Sequence, residues 1–242
     1  MSRKRCYGIV IITMLIVGLS VTTALAAEKG EEAGTSLLAD MFGGGLFGNL
    51  IMISLFLLSM LDMALIIEHF SSIRREKIVP ETLAHDVDAL LAEGQVNEAI
   101  ELCDSEPCFL SNVIRAGLGD IRSGYDAMFE SMQSAGEEET TRLHRKIEYL
   151  SLIGNIAPML GLFGTVYGMI MAFKEIANVR NPSPADLAGG IYTALYTTLI
   201  GLMIAIPTMA IYTFFQNRII SISLEIGGIG EELIRRFKPK VQ

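Results

Sequence analysis

Charge is scarce in this chain: Asp, Glu, Lys and Arg make up 19% of its 242 residues and apolar residues 51%, whereas a soluble domain carries about a quarter charged residues. The shortage is uneven, because three long runs hold almost no charge and the remainder is as polar as an ordinary surface. That pattern excludes a water-soluble globule and leaves too little chain for a large catalytic domain. Basic residues number 19 against 27 acidic ones, a net charge of −8, so no nucleic-acid partner held by a basic patch is expected. Cysteine is equally sparse. Cys6, Cys103 and Cys108 form no CxxC pair and have no histidine at ligand spacing, which excludes a disulfide framework and a zinc site and leaves Cys103 and Cys108 as reduced core residues. His69, His85 and His144 never recur at i, i+4, so no helical metal site is expected. A GxxxxGK[ST] loop is missing as well, so ATP does not drive the chain from within, and no cofactor is implied.

What is present begins with Arg3, Lys4 and Arg5, an apolar run from Tyr7 to about Leu19, and the small residues Ala24-Leu25-Ala26-Ala27. This is the build of a cleaved secretory signal over 1–27, with an uncleaved anchor helix as the competing reading. A periplasmic segment, 28–45, is expected next. Three runs are long enough to span a bilayer: 46–67 with Asp62 its only charge, 149–173 with none, and 187–217 with none. The last overshoots the membrane and continues as a cytoplasmic extension. Lys and Arg crowd the segment between the first two runs (Arg74, Arg75, Lys77, Arg115, Arg122, Arg142, Arg145, Lys146) and the tail 218–242. Only Lys29, Lys174 and Arg180 lie on the other side. The positive-inside rule therefore puts the large loop and C-terminus in the cytoplasm, with the mature N-terminus and the loop 174–186 in the periplasm.

The cytoplasmic region 68–148 reads as helical throughout. Leu83, Val87, Leu90 and Leu91 share one helical face, Gly94 breaks the helix, and Ala99, Ile100 and Cys103 resume it, giving a helical hairpin. Pro107 ends the hairpin, a helix from Leu110 to Ile121 follows, and from about Tyr125 the chain is helical into the second span. The run Glu137-Glu138-Glu139 is read as a solvated face. The expected fold class is all-α, a polytopic membrane protein with three transmembrane helices and a cytoplasmic helical region.

Inside the second span Gly161, Gly164, Thr165, Gly168 and Ala172 stack on one face; in the third, Gly190, Ala194, Thr197, Thr198, Gly201 and Ala205 do the same. Small residues at that spacing let helix backbones approach closely. Thr165, Thr193, Thr197 and Thr198 then suggest a polar seam or a water-accessible lining. Neither span contains Asp, Glu, Lys, Arg or His, so the seam holds water but stores no proton. Any titrating acid must come from Asp62 or from another chain. No catalytic residue is assigned, since no span offers a Ser/His pair, an aspartate dyad or metal ligands. Asp62 carries two readings, an intramembrane functional acid or a structural one satisfied by Arg74 and Arg75 or by headgroup water. Glu68 with Arg74 and Arg75 reads as an interface anchor at a cytoplasmic mouth.

The stretches Ala157-Pro158-Met159-Leu160-Gly161-Leu162-Phe163-Gly164-Thr165-Val166-Tyr167-Gly168 and Gly190-Ile191 through Thr198 to Gly201-Leu202, then Ala205-Ile206-Pro207, resemble the MotA/TolQ/ExbB proton-channel family, closest to its ExbB/TolQ branch. The resemblance extends over roughly residues 46 to 220. It implies a homopentamer in the bacterial inner membrane around a single-span partner of the ExbD or TolR kind, whose aspartate titrates, and a further TonB- or TolA-like protein. It also implies a proton channel that converts proton-motive force into mechanical work on the cell envelope, whether TonB-type transport or Tol-type envelope maintenance. Thr165 and Thr198 look like the family's two pore threonines. Thr193 stands where many relatives carry glutamate. A MotA-like stator and a passive membrane scaffold that recruits proteins through its cytoplasmic helices are the alternative readings.

Overall fold

The computed structural model describes residues 45–178 and 184–238, and among these every regular element is helical. The signal expected over 1–27, all but the last residue of the periplasmic segment expected over 28–45, and the centre of the loop expected over 174–186 lie outside the described residues. Helix α1 (Gly45–Ser72) is followed by a single turn, α2 (Arg75–Ile78), the hairpin α3 (Glu81–Ala92) and α4 (Val96–Ser105), and α5 (Phe109–Gly119). A 3₁₀ turn (Ile121–Ser123) leads into the long helices α6 (Tyr125–Asn178) and α7 (Pro184–Ile234), and a last 3₁₀ turn covers Arg235–Phe237. The helix expected from Leu110 to Ile121 therefore stops at Gly119, because Ile121 already belongs to the 3₁₀ turn.

Helices α1, α6 and α7 are each long and apolar enough to cross a membrane, and the chain is a multi-pass membrane protein. At 54 and 51 residues, α6 and α7 far exceed the ~20 residues that a hydrocarbon core of about 30 Å requires. Each therefore carries a long extramembrane stretch that a hydropathy scan does not mark. Each also holds one internal proline, Pro158 and Pro207, which removes a backbone donor without ending the helix.

The chain forms two compact units. One consists of α1 up to Ile66 with residues 150–212. Its core is Ile51 and Leu55 of α1, Ile153 and Ala157 of α6, and Ile204 and Ala205 of α7, with Leu58, Leu65, Leu160, Tyr167 and Ile200 packed against it. The outward faces carry large apolar side chains, among them Phe56, Met159 and Ile206, which lipid accepts and water would not.

The other unit comprises residues 67–149 and 213–242. Leu83, Val87 and Leu91 of α3 bury their face, as do Ala99 and Cys103 of α4; Gly94 takes a left-handed φ of 78° at the turn between them. Helix α5 starts in a reciprocal cap: the Ser111 amide donates to Cys108 Sγ at 3.4 Å and the Cys108 amide donates to Ser111 Oγ at 2.7 Å. Cys103 and Cys108 are free thiols. The acidic run of α6 is not uniformly solvated. Glu137 and Glu138 are exposed, but Glu139 accepts from Asn112 Nδ2 of α5 at 2.8 Å.

Candidate functional site: a hydroxyl seam between two span helices

Close backbone approach comes first. A Cβ on Gly201 would lie 2.6 Å from the Ala157 carbonyl oxygen and 3.3 Å from Gly161 Cα. A Cβ on Gly161 would lie 2.9 Å from the Thr197 carbonyl oxygen, and one on Gly164 would lie 2.8 Å from Thr197 Cβ. Glycine is needed at these positions because α6 and α7 touch backbone to backbone, the contact that small-residue faces produce in membranes. Gly168 meets Ala194 in the same way.

That approach brings three hydroxyls onto two carbonyls. Thr197 Oγ1 donates to the Ala194 carbonyl at 2.8 Å and lies 3.1 Å from that of Gly161. Thr198 Oγ1 donates to the Gly161 carbonyl at 3.0 Å. Thr165 Oγ1 lies 3.2 Å from both carbonyls and is hydrogen-bonded to Thr198 Oγ1. Each hydroxyl has one proton, so a consistent set runs Thr197 to Ala194, Thr198 to Gly161 and Thr165 to Thr198. Thr197 is 8% exposed and wedged at the helix contact, while Thr165 and Thr198 are half-buried. The seam is thus one network with a packed end and an accessible end. Gly190 and Thr193 fall on α7, but their side chains lie outside the described residues.

Asp62 lies apart from this seam. It is 7% exposed, and its partner is neither arginine: Thr208 Oγ1 of α7 stands 2.7 Å from Asp62 Oδ2. The arginine-satisfied reading is corrected. Arg75 pairs with Glu225 at 2.6 Å and Glu81 at 2.8 Å, and Arg74 Nε donates to the Phe70 carbonyl at 3.4 Å. The Arg75 guanidinium holds the Glu225 carboxyl below the usual glutamate range. Glu68 is exposed on α1.

Thr208 is the residue that sequence reading missed. It is fully buried, directly after Pro207, and no crowd of hydroxyls surrounds it in sequence. A signal did exist on α1. Asp62 continues the stripe Ile51, Leu55, Leu58 and Leu65 at heptad spacing, and a carboxyl on a packing stripe requires a polar partner on the helix it faces.

An all-α, multi-pass membrane protein with a glycine-tight, hydroxyl-bearing helix contact is the class that fold and site define. Residues 107–227 match the MotA/TolQ/ExbB proton channel family, and the chain belongs to that family, one of inner-membrane proton channels rather than enzymes. It is 41% identical over 86 residues to the biopolymer transport protein ExbB of Salmonella typhimurium, covering 36% of this chain and 35% of that protein. To the Tol-Pal system protein TolQ of Pseudomonas aeruginosa it is 37% identical over 97 residues, 38% of this chain and 42% of that one. The matched stretches thus span well under half the length of these relatives. A chain in a solved structure of C. jejuni MotAB aligns over 96% of each chain with 19% identity and a TM-score of 0.43.

Proposed function

We propose that this protein is a proton-channel subunit which, with a single-span ExbD/TolR-like partner supplying the titrating aspartate, couples proton-motive force to mechanical work on the cell envelope. The observation that carries this reading is the seam itself: hydroxyls of Thr165 and Thr198 on facing helices, bonded to one another and half-accessible, in spans without a charged side chain. A bare carboxylate in that setting is costly. Thr165 lowers that cost by turning its proton from Thr198 to the carboxylate, Thr198 does so by turning its own from the Gly161 carbonyl, and both return when the acid is protonated. The homopentamer, the TonB- or TolA-like recipient, and the orientation with the large loop and C-terminus cytoplasmic belong to the same proposal. The spans 46–67, 149–173 and 187–217 are its membrane-embedded parts, with Thr165 and Thr198 as the accessible lining, Thr197 as the packed end of the seam, and Glu68, Arg74 and Arg75 at the cytoplasmic mouth.

Thr165→Val and Thr198→Val, each co-expressed with the single-span partner and reconstituted in vesicles carrying an internal pH-sensitive dye, test the reading. Assembly should persist while proton flux and the driven envelope process are lost. Normal flux in both variants removes the threonine roles, and a process indifferent to collapse of the proton gradient favours a passive scaffold.

A further inference from the structure

The Asp62–Thr208 pair has a proton count that admits one economical solution. Thr208 Oγ1 lies 2.7 Å from Asp62 Oδ2 and 2.7 Å from the Ile204 carbonyl oxygen, yet it has a single proton to donate. Asp62 Oδ1 is buried with no hydrogen-bond partner. An ionised Asp62 would therefore hold a full charge in an apolar unit on one hydroxyl donor, with one oxygen bare. Unpaired charge in such a place is the costliest arrangement available. A neutral acid removes the conflict: Asp62 Oδ2–H donates to Thr208 Oγ1, Thr208 donates to the Ile204 carbonyl, and Oδ1 is left as an uncharged carbonyl.

No charged group offsets the charge from the facing helices. Residues 150–173 of α6 and 187–217 of α7 contain no Asp, Glu, Lys, Arg or His, only the tyrosines Tyr167, Tyr192, Tyr196 and Tyr212. On α1 itself the next titratable side chains, Glu68 and His69, are nearly two turns further on.

We propose that Asp62 is a proton-binding site of this subunit, its proton kept on Oδ2 and held by a hydrogen-bond chain from Asp62 to Thr208 Oγ1 and from Thr208 to the Ile204 carbonyl. It is distinct from the acid that the partner brings to the Thr165–Thr198 seam. The proton leaves only when water or another donor reaches Oδ1, so the site changes charge with hydration of the α1–α7 contact. The use of that proton rests on the channel reading above, but its presence does not.

The test is infrared difference spectroscopy of the full chain in lipid vesicles at neutral pH, in H₂O and in D₂O. The wild type should show a deuterium-sensitive carboxylic-acid carbonyl band that disappears in Asp62→Asn, a variant whose amide still donates to Thr208. In Thr208→Val, which keeps Asp62, the band should move to higher frequency as its hydrogen bond is lost. A wild type without the band, or a band unchanged in Asp62→Asn, overturns the proposal; a band unmoved in Thr208→Val overturns the hydrogen-bond chain. Should dye-reported proton flux survive Thr165→Val and Thr198→Val while the Asp62 band behaves as expected, the seam reading fails and the Asp62 site stands.

Discussion

Thr198 donates to the carbonyl oxygen of Gly161 at 3.0 Å although the two lie 37 positions apart in sequence. The bond exists because neither Gly161 nor Gly201 has a side chain to hold α6 and α7 apart. A packing feature and a polar feature that look separate in the sequence are therefore one arrangement: the glycines set the spacing at which the hydroxyls meet.

Removing a hydroxyl should accordingly spare the fold. Interhelical hydrogen bonds in membranes average only about 0.6 kcal/mol, so Thr198→Val is expected to shift thermal unfolding in detergent slightly. Its effect on proton flux should be far larger, and a variant that unfolds as readily as a glycine substitution would contradict this separation.

Filling the backbone contact should do the reverse. In Gly201→Ala the new Cβ meets the fixed Ala157 carbonyl oxygen at 2.6 Å, whereas in Gly154→Ala it meets Met209 Sδ, also at 2.6 Å, on a side chain that can swing aside. Overpacking against rigid atoms costs about 1–3 kcal/mol. Gly201→Ala should lower the unfolding temperature markedly and Gly154→Ala much less; equal losses would show that the spacing of α6 and α7 is not set where the structure places it.

The ion pair of α2 with α7 gives a pH signature. Because Arg75 depresses the Glu225 carboxyl in the folded state, the pair stabilises fully above the ordinary glutamate value of about 4.3. That contribution is lost as pH falls through the lower folded value. Glu225→Gln should therefore unfold earlier than wild type at neutral pH, with the gap closing in acid. A gap that widens as pH falls would reverse the sign and exclude the pair as its source.

Burial pushes the Cys103 thiol up to about 11, which leaves little thiolate at neutral pH. N-ethylmaleimide should leave Cys103 largely unmodified in native vesicles and label it rapidly once the chain is denatured, as read by peptide mass spectrometry. Prompt native labelling would mean that α4 does not pack its buried face as described.

Much of the fold is legible in sequence for a simple reason: membrane spans and a short-turn hairpin are local, written in runs of apolar residues and in helical periodicity. Gly94, Pro107 and the face Leu83–Val87–Leu91 mark the hairpin within a few residues. Small turns escape the same reading, since α2 has only 4 residues, too few for any periodicity to register. The acidic run misleads at Glu139 because charge alone does not reveal that Asn112 of another helix waits opposite it.

The sequence by itself determined the membrane class, the three spans, the glycine faces and the absence of any charged side chain in the second and third spans, since each depends only on residue type and spacing along one helix. Tertiary structure decided which hydroxyls share a proton network, that Thr197 is packed while Thr165 and Thr198 remain half-accessible, and that Asp62 answers to Thr208 rather than to Arg74 or Arg75. Those pairings join residues 33 to 146 positions apart. Hydrogen bonds reach only about 3 Å, so the rotation and depth at which two helices meet select the partner, and no single helix encodes that choice.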